Sequence, residues 1–180
     1  TVDWLIDHQI DGTVVFPGMG FIEICLIAAR EALCKTNLQL LNISFKRPLV
    51  LQSHEHCDLQ VQVTLENEGA IVNFYSRQTG CSDAWVHHCS IDAQPSKTAS
   101  SAITAEDYGE IIARCNTAVP ITDFYDQWDA LGNQWGPGFQ GIEELHTTVG
   151  EAIAQVQAPT NIAAQCSIHP AHPAILDACI

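Results

Sequence analysis

The stretch from Gly20 to Lys35, GFIEICLIAAREALCK, is apolar almost all the way round until its last turn, and it constrains the fold more than any other part of the chain. A helix with no polar face cannot lie on a protein surface, so it has to be enclosed by other elements. The preceding FPGMG holds a proline and two glycines, which predicts a sharp turn into the helix N-terminus. The wrapping material follows in sequence. LQLLNISFKRPLVL reads as extended and broken at Pro48. In CDLQVQVTL, Cys57, Leu59, Val61, Val63 and Leu65 alternate with Asp58, Gln60, Gln62 and Thr64, the pattern of a half-buried strand. ENEG supplies a turn, AIVNFYSR a second strand, QTGCSD a loop and AWVHHCSI a third strand.

One buried helix wrapped by an antiparallel meander is the hot-dog arrangement, and the predicted fold class is therefore α+β. The first unit is expected to occupy residues 1–92. The small, polar AQPSKTASSAITAED reads as a linker, and residues 93–120 are assigned to it together with a short helix in AEDYGEIIARC. From residue 121 a second unit is expected to begin with the helix ITDFYDQWDAL, capped by Thr122. The strands GFQGIEELHTT and EAIAQVQAP follow, separated by Gly150, and IHPAHPAILDACI runs into what reads as the opening turn of another helix. The second unit is expected to be incomplete within residues 121–180.

Seven basic residues against 21 acidic ones, a formal charge of −14, would repel a phosphate backbone or an anionic membrane face. Nucleic acid is therefore not an expected partner. No apolar run reaches the roughly 18 residues that span a bilayer, and the N-terminus lacks a basic-then-apolar leader layout, so a soluble, cytoplasmic chain is expected. The eight cysteines are spread out, form no CxxC pair and often fall at apolar positions; they read as buried free thiols. His54, His56 and Cys57, or His87, His88 and Cys89, have no usual zinc spacing, and adjacent residues of a strand point to opposite faces. No metal is expected.

Three short motifs carry the chemistry. HQIDGTVVFP places His8, Gly12 and Pro17 in a His-x3-Gly-x4-Pro pattern, HPAILD places His172, Pro173 and Asp177 in His-Pro-x3-Asp, and between them GNQWGPGF supplies Gly132, Gly136, Pro137 and Phe139. In order and spacing these resemble the dehydratase domain of modular type I polyketide synthases, a double hot-dog family. The resemblance implies dehydration of a 3-hydroxyacyl chain on an acyl carrier protein, with His8 as base and Asp177 as acid and no cofactor. It also implies substrate contacts around Gly12, Pro17, Gly18, Trp135, Gly136, Pro137, Phe139, His172 and Pro173. The implied partners are a phosphopantetheine-bearing carrier protein, the other domains of the synthase and a second copy of the chain. Asn133 and Trp135 stand where the family usually has tyrosines, so a hydroxyl contact from that segment is not expected.

The residue types suit the task. Removing an α-proton and expelling a β-hydroxyl needs a base at one carbon and an acid at the next. Imidazole is largely neutral near pH 7, and a carboxylic acid keeps its proton there only if burial raises its pKa. Asp177 sits among apolar neighbours in PAILDACI. Negative charge on the thioester oxygen could be met by backbone N–H groups at the helix start in PGMG, while Gly12 would shape the turn that aims His8. Each residue has a plainer reading as well. His8 could be a surface loop histidine, Asp177 a charge at a helix start, His172 a backbone-orienting residue, Trp85 and Trp128 packing, and Lys46 and Arg47 a solvated strand end or a basic point for an acidic carrier. Two other outcomes stay open: a dehydratase-like isomerase or pyran-forming cyclase using the same pair, and a non-catalytic structural or dimerisation domain.

Overall fold

The computed structural model describes residues 3–51, 56–96, 105–166, 168–169 and 171–180, and the backbone alone for 105–107. The linker's residues 97–104 and His54 lie outside them. A 3-10 turn, Asp3–Asp7, leads into β1 (His8–Ile10), which folds back on β2 (Thr13–Val14). The two residues between them, Asp11 and Gly12, have φ of 49° and 72°, the positive values that a tight two-residue hairpin requires.

Helix α1 spans Gly18–Leu33. It starts two residues earlier than the sequence suggested because Pro17, with φ −63° and ψ 142°, acts as the N-cap, and it stops where Cys34 turns left-handed at φ 52°. Phe21, Ile22, Cys25 and Ala29 are buried, whereas Ile27 is half exposed, so the helix is enclosed on one broad face rather than all round. That face meets the sheet formed by β3 (Leu38–Phe45), β4 (Cys57–Glu66), β5 (Gly69–Gln78) and β6 (Val86–Pro95) in the antiparallel order β3-β6-β5-β4. Alternate residues of the central strands, Val72 and Phe74 on β5 and Cys89, Ile91 and Ala93 on β6, are fully buried against α1. Strand β4 shows the expected alternation but lies at the edge. Val61 and Val63 reach the core, while Cys57, Leu59 and Leu65 remain exposed.

Helix α2 (Ala105–Arg114), β7 (Thr117–Ala118) and α3 (Ile121–Ala130) follow. Pro120, not Thr122, occupies the N-cap of α3, and no side chain caps it. Then come β8 (Asn133–Trp135), a 3-10 turn at Pro137–Phe139, β9 (Ile142–Thr148), β10 (Glu151–Val156), α4 (Ala163–Cys166) and α5 (Pro173–Asp177). Strand β8 joins the first hairpin in the order β2-β1-β8, and a further sheet runs β10-β9-β7. A second, smaller core of Trp4, Phe139, Ile162 and Ala174 fills the space between the chain's two ends.

All eight cysteines are free, but only Cys25, Cys89 and Cys115 are buried. Burial pushes the Cys25 thiol up to about 12 and that of Cys89 up to about 11, so both behave as apolar side chains. No described helix is long and apolar enough to cross a membrane.

The contrast within the sheet gives a direct test. Phe74→Ala on β5 is expected to lower the unfolding free energy by about 3–5 kcal/mol, and Leu65→Ala at the edge to stay within about 0.5 kcal/mol, measured by denaturant titration. Equal costs at the two positions would contradict the assignment of β5 as the core strand.

Candidate active site

The site begins with a strand pairing between residues distant in sequence. Strand β1 runs antiparallel to β8 with His8 opposite Trp135, Gln9 opposite Gln134 and Ile10 opposite Asn133. Hydrogen bonds extend it at both ends, from Asp11 N–H to the Gly132 carbonyl (2.8 Å) and from Gly136 N–H to the Asp7 carbonyl (2.7 Å). The Asp7 carboxylate then accepts from Gly138 N–H at 2.7 Å. The turn approaches so closely that a Cβ on Gly136 would lie 2.5 Å from Asp7 Oδ1, which only glycine avoids. Gly12 N–H donates to Gln134 Oε1 at 2.6 Å, tying the hairpin tip to the same strand.

His8 is thus a buried strand residue, 8% exposed, rather than a loop histidine. Its Nδ1 lies 2.8 Å from the Val15 carbonyl oxygen. A carbonyl can only accept, so in the neutral ring Nδ1 carries the proton and Nε2 presents a lone pair. Nε2 lies 3.7 Å from Asp177 Oδ2, too long for a hydrogen bond and short enough for both groups to reach one small ligand unit. Asp177 is the last residue of α5, not a helix-start charge. Burial pushes its carboxyl above the usual carboxylate range, against the opposing pull of His8.

His172 is the N-cap of α5 and accepts from Ala174 N–H through Nδ1 at 3.3 Å, with Pro173 as the first helical residue. It is buried, and desolvation, assisted by His169, lowers its pKa to about 4. A run of ring contacts links it to His8: His172 to Trp4 at 4.8 Å, Trp4 to Phe139 at 5.7 Å and Phe139 to His8 at 5.0 Å between centroids.

Two cavities meet at His8. One, about 270 Å³, is lined by His8, Asp177, Tyr125, Trp128, Trp135 and Phe139 among others. The other, about 300 Å³, is bordered by His8, Phe16, Gly18, Phe21, Lys46 and Arg47 among others. The structure therefore brings His8, Asp177, Trp135 and Phe139 into one cavity and Gly18 into its neighbour. Pro17 is buried behind Gly18 as the cap of α1, Gly136 and the exposed Pro137 shape the turn around Asp7, and Gly12 is an exposed turn residue that lines neither cavity. Phe124, Tyr125 and Trp128 on α3 were not expected in the site. The signal was present in ITDFYDQW, whose aromatics at spacings of one, three and four fall on one side of a helix. Trp128 lines the cavity rather than simply packing, and Trp85 lies under the Arg77 guanidinium at 4.6 Å. Among the described residues no group of three His, Cys, Asp or Glu side chains is placed to hold a metal ion.

Residues 1–77 match the family described as "Polyketide synthase dehydratase domain", and residues 103–180 match "Polyketide synthase dehydratase N-terminal domain". The chain belongs to the polyketide synthase dehydratase domains. It is similar to the dehydratase domain from the CurK module of the curacin polyketide synthase, with a TM-score of 0.89 and 27% identity over 97% of this chain and 62% of that one. Two inactive mutants of the CurK dehydratase, one with a histidine replaced by phenylalanine and one with an aspartate replaced by asparagine, each match with a TM-score of 0.85, 27% identity and coverage of 98% of this chain and 61% of theirs. The spectinabilin polyketide synthase system protein NorB of Streptomyces orinoci is 31% identical over all of this chain and 8% of its own length. The dehydratase chain described here thus has the double hot-dog α+β fold and spans about three fifths of the solved domains it matches.

The raised carboxyl of Asp177 has a consequence for stability. Its folded pKa exceeds its unfolded one, so the stabilisation by the protonated form is complete below the unfolded value of about 3.9 and is lost as pH rises through the folded value. Asp177→Asn is therefore expected to raise Tm at pH 7 relative to the wild type, with the difference shrinking below about pH 4. A difference that is the same at both pH values would contradict the shift.

Proposed function

We propose that this domain removes water from a 3-hydroxyacyl thioester presented on an acyl carrier protein and leaves the 2-enoyl thioester. The observation that carries the reading is the His8–Asp177 pair, 3.7 Å apart at one cavity, with burial favouring the protonated acid. Neutral His8 takes the α-proton at Nε2, because Nδ1 is engaged by Val15. Asp177 delivers its proton to the departing β-hydroxyl, and the electron pair of the broken Cα–H bond becomes the second bond of the alkene as water leaves. The turnover ends with an imidazolium beside a carboxylate, and transfer of that proton from His8 to Asp177 restores both. The CurK dehydratase mutants described as inactive replace one histidine and one aspartate, which supports a requirement for one residue of each type.

The thioester has a preferred direction. The first N–H groups of α1, at Gly18 and Met19, have no carbonyl partner within the helix and carry the positive end of its dipole, so the thioester oxygen belongs in the Gly18-lined cavity. The acyl chain then extends past Asp177 into the aromatic cavity. Lys46 and Arg47 stand at the border of the first of these cavities, on a chain whose charge of −14 would otherwise repel an acidic carrier. Tethering of the carrier within the same synthase would supply the rest of the encounter through effective concentration. A homodimer in the cytoplasm is the setting proposed for this chemistry.

His8→Ala and Asp177→Asn are each expected to lower the rate of water loss from a carrier-bound 3-hydroxyacyl chain by about 10²–10⁴-fold, followed by intact-protein mass spectrometry. Near-normal rates in either variant would refute the assignment, and a product of unchanged mass would point to isomerisation or ring closure. Charge reversal at Lys46 and Arg47 is expected to raise KM for the carrier-bound substrate and leave it unchanged for a free pantetheine thioester. An equal effect on both substrates would place these cations outside carrier recognition.

A further inference from the structure

We propose that Glu23 and His169 form a positioning clamp that sets where the acid of the catalytic pair stands relative to helix α1. Glu23 lies on the buried face of α1, 5% exposed, in the company of Phe21, Ile22, Cys25 and Ala29. A carboxylate in such surroundings is tolerated only with a partner. Its partner comes from the far end of the chain: His169 Nδ1 lies 2.6 Å from Glu23 Oε1.

His169 belongs to a repeated triplet, HPAHPA, at residues 169–174. The repeat divides two tasks between like residues. The first histidine pairs with Glu23, and the second, His172, caps α5. Their rings meet edge to face at 4.9 Å, so the pair and the cap form one packed unit. Helix α5 is only five residues long and cannot hold its own shape, so the place of Asp177 at its end depends on the packing of Ala174, Ile175 and Leu176 and on how its start is anchored. That start is held by the backbone bonds from Ile175 and Leu176 N–H to the His172 carbonyl (3.0 and 3.1 Å) and by the ring contact to His169. Glu23 meanwhile belongs to the same helix whose first residue, Gly18, borders His8 in the neighbouring cavity. The Glu23–His169 contact therefore couples the acid to the helix start on which the thioester oxygen is proposed to sit. Neither Glu23 nor His169 lines either cavity, so both act through position and not by touching substrate.

The kinetic arm of the test rests on the dehydratase reading, and the structural arm does not. In the complete domain, the double variant Glu23→Leu/His169→Leu removes both members and leaves no unpaired buried charge. It is expected to fold, with kcat on a carrier-bound 3-hydroxyacyl substrate lowered about 10–100-fold and KM within about twofold, the size of effect a misplacement of about 1 Å produces. His169→Gln keeps a side-chain N–H for the carboxylate and is expected to restore most of the rate. A crystal structure of the double variant is expected to show the His8–Asp177 separation changed from 3.7 Å. A folded double variant with wild-type kcat and an unchanged separation would overturn the clamp, as would a His169→Gln variant no better than His169→Leu. If the wild-type domain fails to dehydrate, the chemistry falls but the separation still decides the clamp.

Discussion

The site depends on one small pairing, that of the three-residue strand His8–Ile10 with Asn133–Trp135. A strand this short has no stability of its own and persists only if its ends are fixed. The left-handed pair Asp11 and Gly12 closes one end. At the other, Asp7 binds the Gly136–Gly138 turn through both its carbonyl and its carboxylate. The result places His8 beside residues more than 120 positions away in the sequence, while its tautomer is set locally by the Val15 carbonyl. The small core built on Trp4 and Phe139 packs against His8 and takes in Ala174 of α5, the helix that ends at Asp177.

Burial is the common origin of the site's chemical bias. It pushes the Asp177 carboxyl upward and the His172 ring downward, which favours the protonated carboxyl and the neutral imidazole. A neutral His172 keeps Nδ1 free to cap α5, which a charged ring could not do. Burying the Asp177 carboxyl beside the His8 ring is unfavourable for the fold, and functional sites commonly exchange stability in this way. The aromatics of α3 and the Trp135–Phe139 turn present an apolar wall to the cavity beside Asp177.

Much of this was legible in the sequence because it is local. The enclosed helix, the three strands of the meander and the turn at Gly150 are written in periodicity and turn residues, and the motifs around His8 and Asp177 stand out by spacing. What the sequence concealed was set by distant partners. The start of α1 moved to Gly18 because Pro17 caps it, and Pro120 displaced Thr122 in the same way at α3. Alternation in β4 could not reveal that the strand lies at an edge, which depends on pairing order. That His8 lies buried in a strand was not legible locally, because its burial comes from β8 and Phe139. The role of Glu23 was not legible, since nothing local announces a partner 146 residues further on.

The pairing of His8 and Asp177 in one buried site is tested most directly by following the Asp177 carboxyl carbon by NMR across a pH titration, in the wild type and in His8→Ala. Asp177 is expected to titrate above the ordinary aspartate value of about 3.9 and to move higher still when His8, which favours its charged form, is removed. An Asp177 that titrates at the ordinary value and does not respond to the loss of His8 would contradict a shared, buried site.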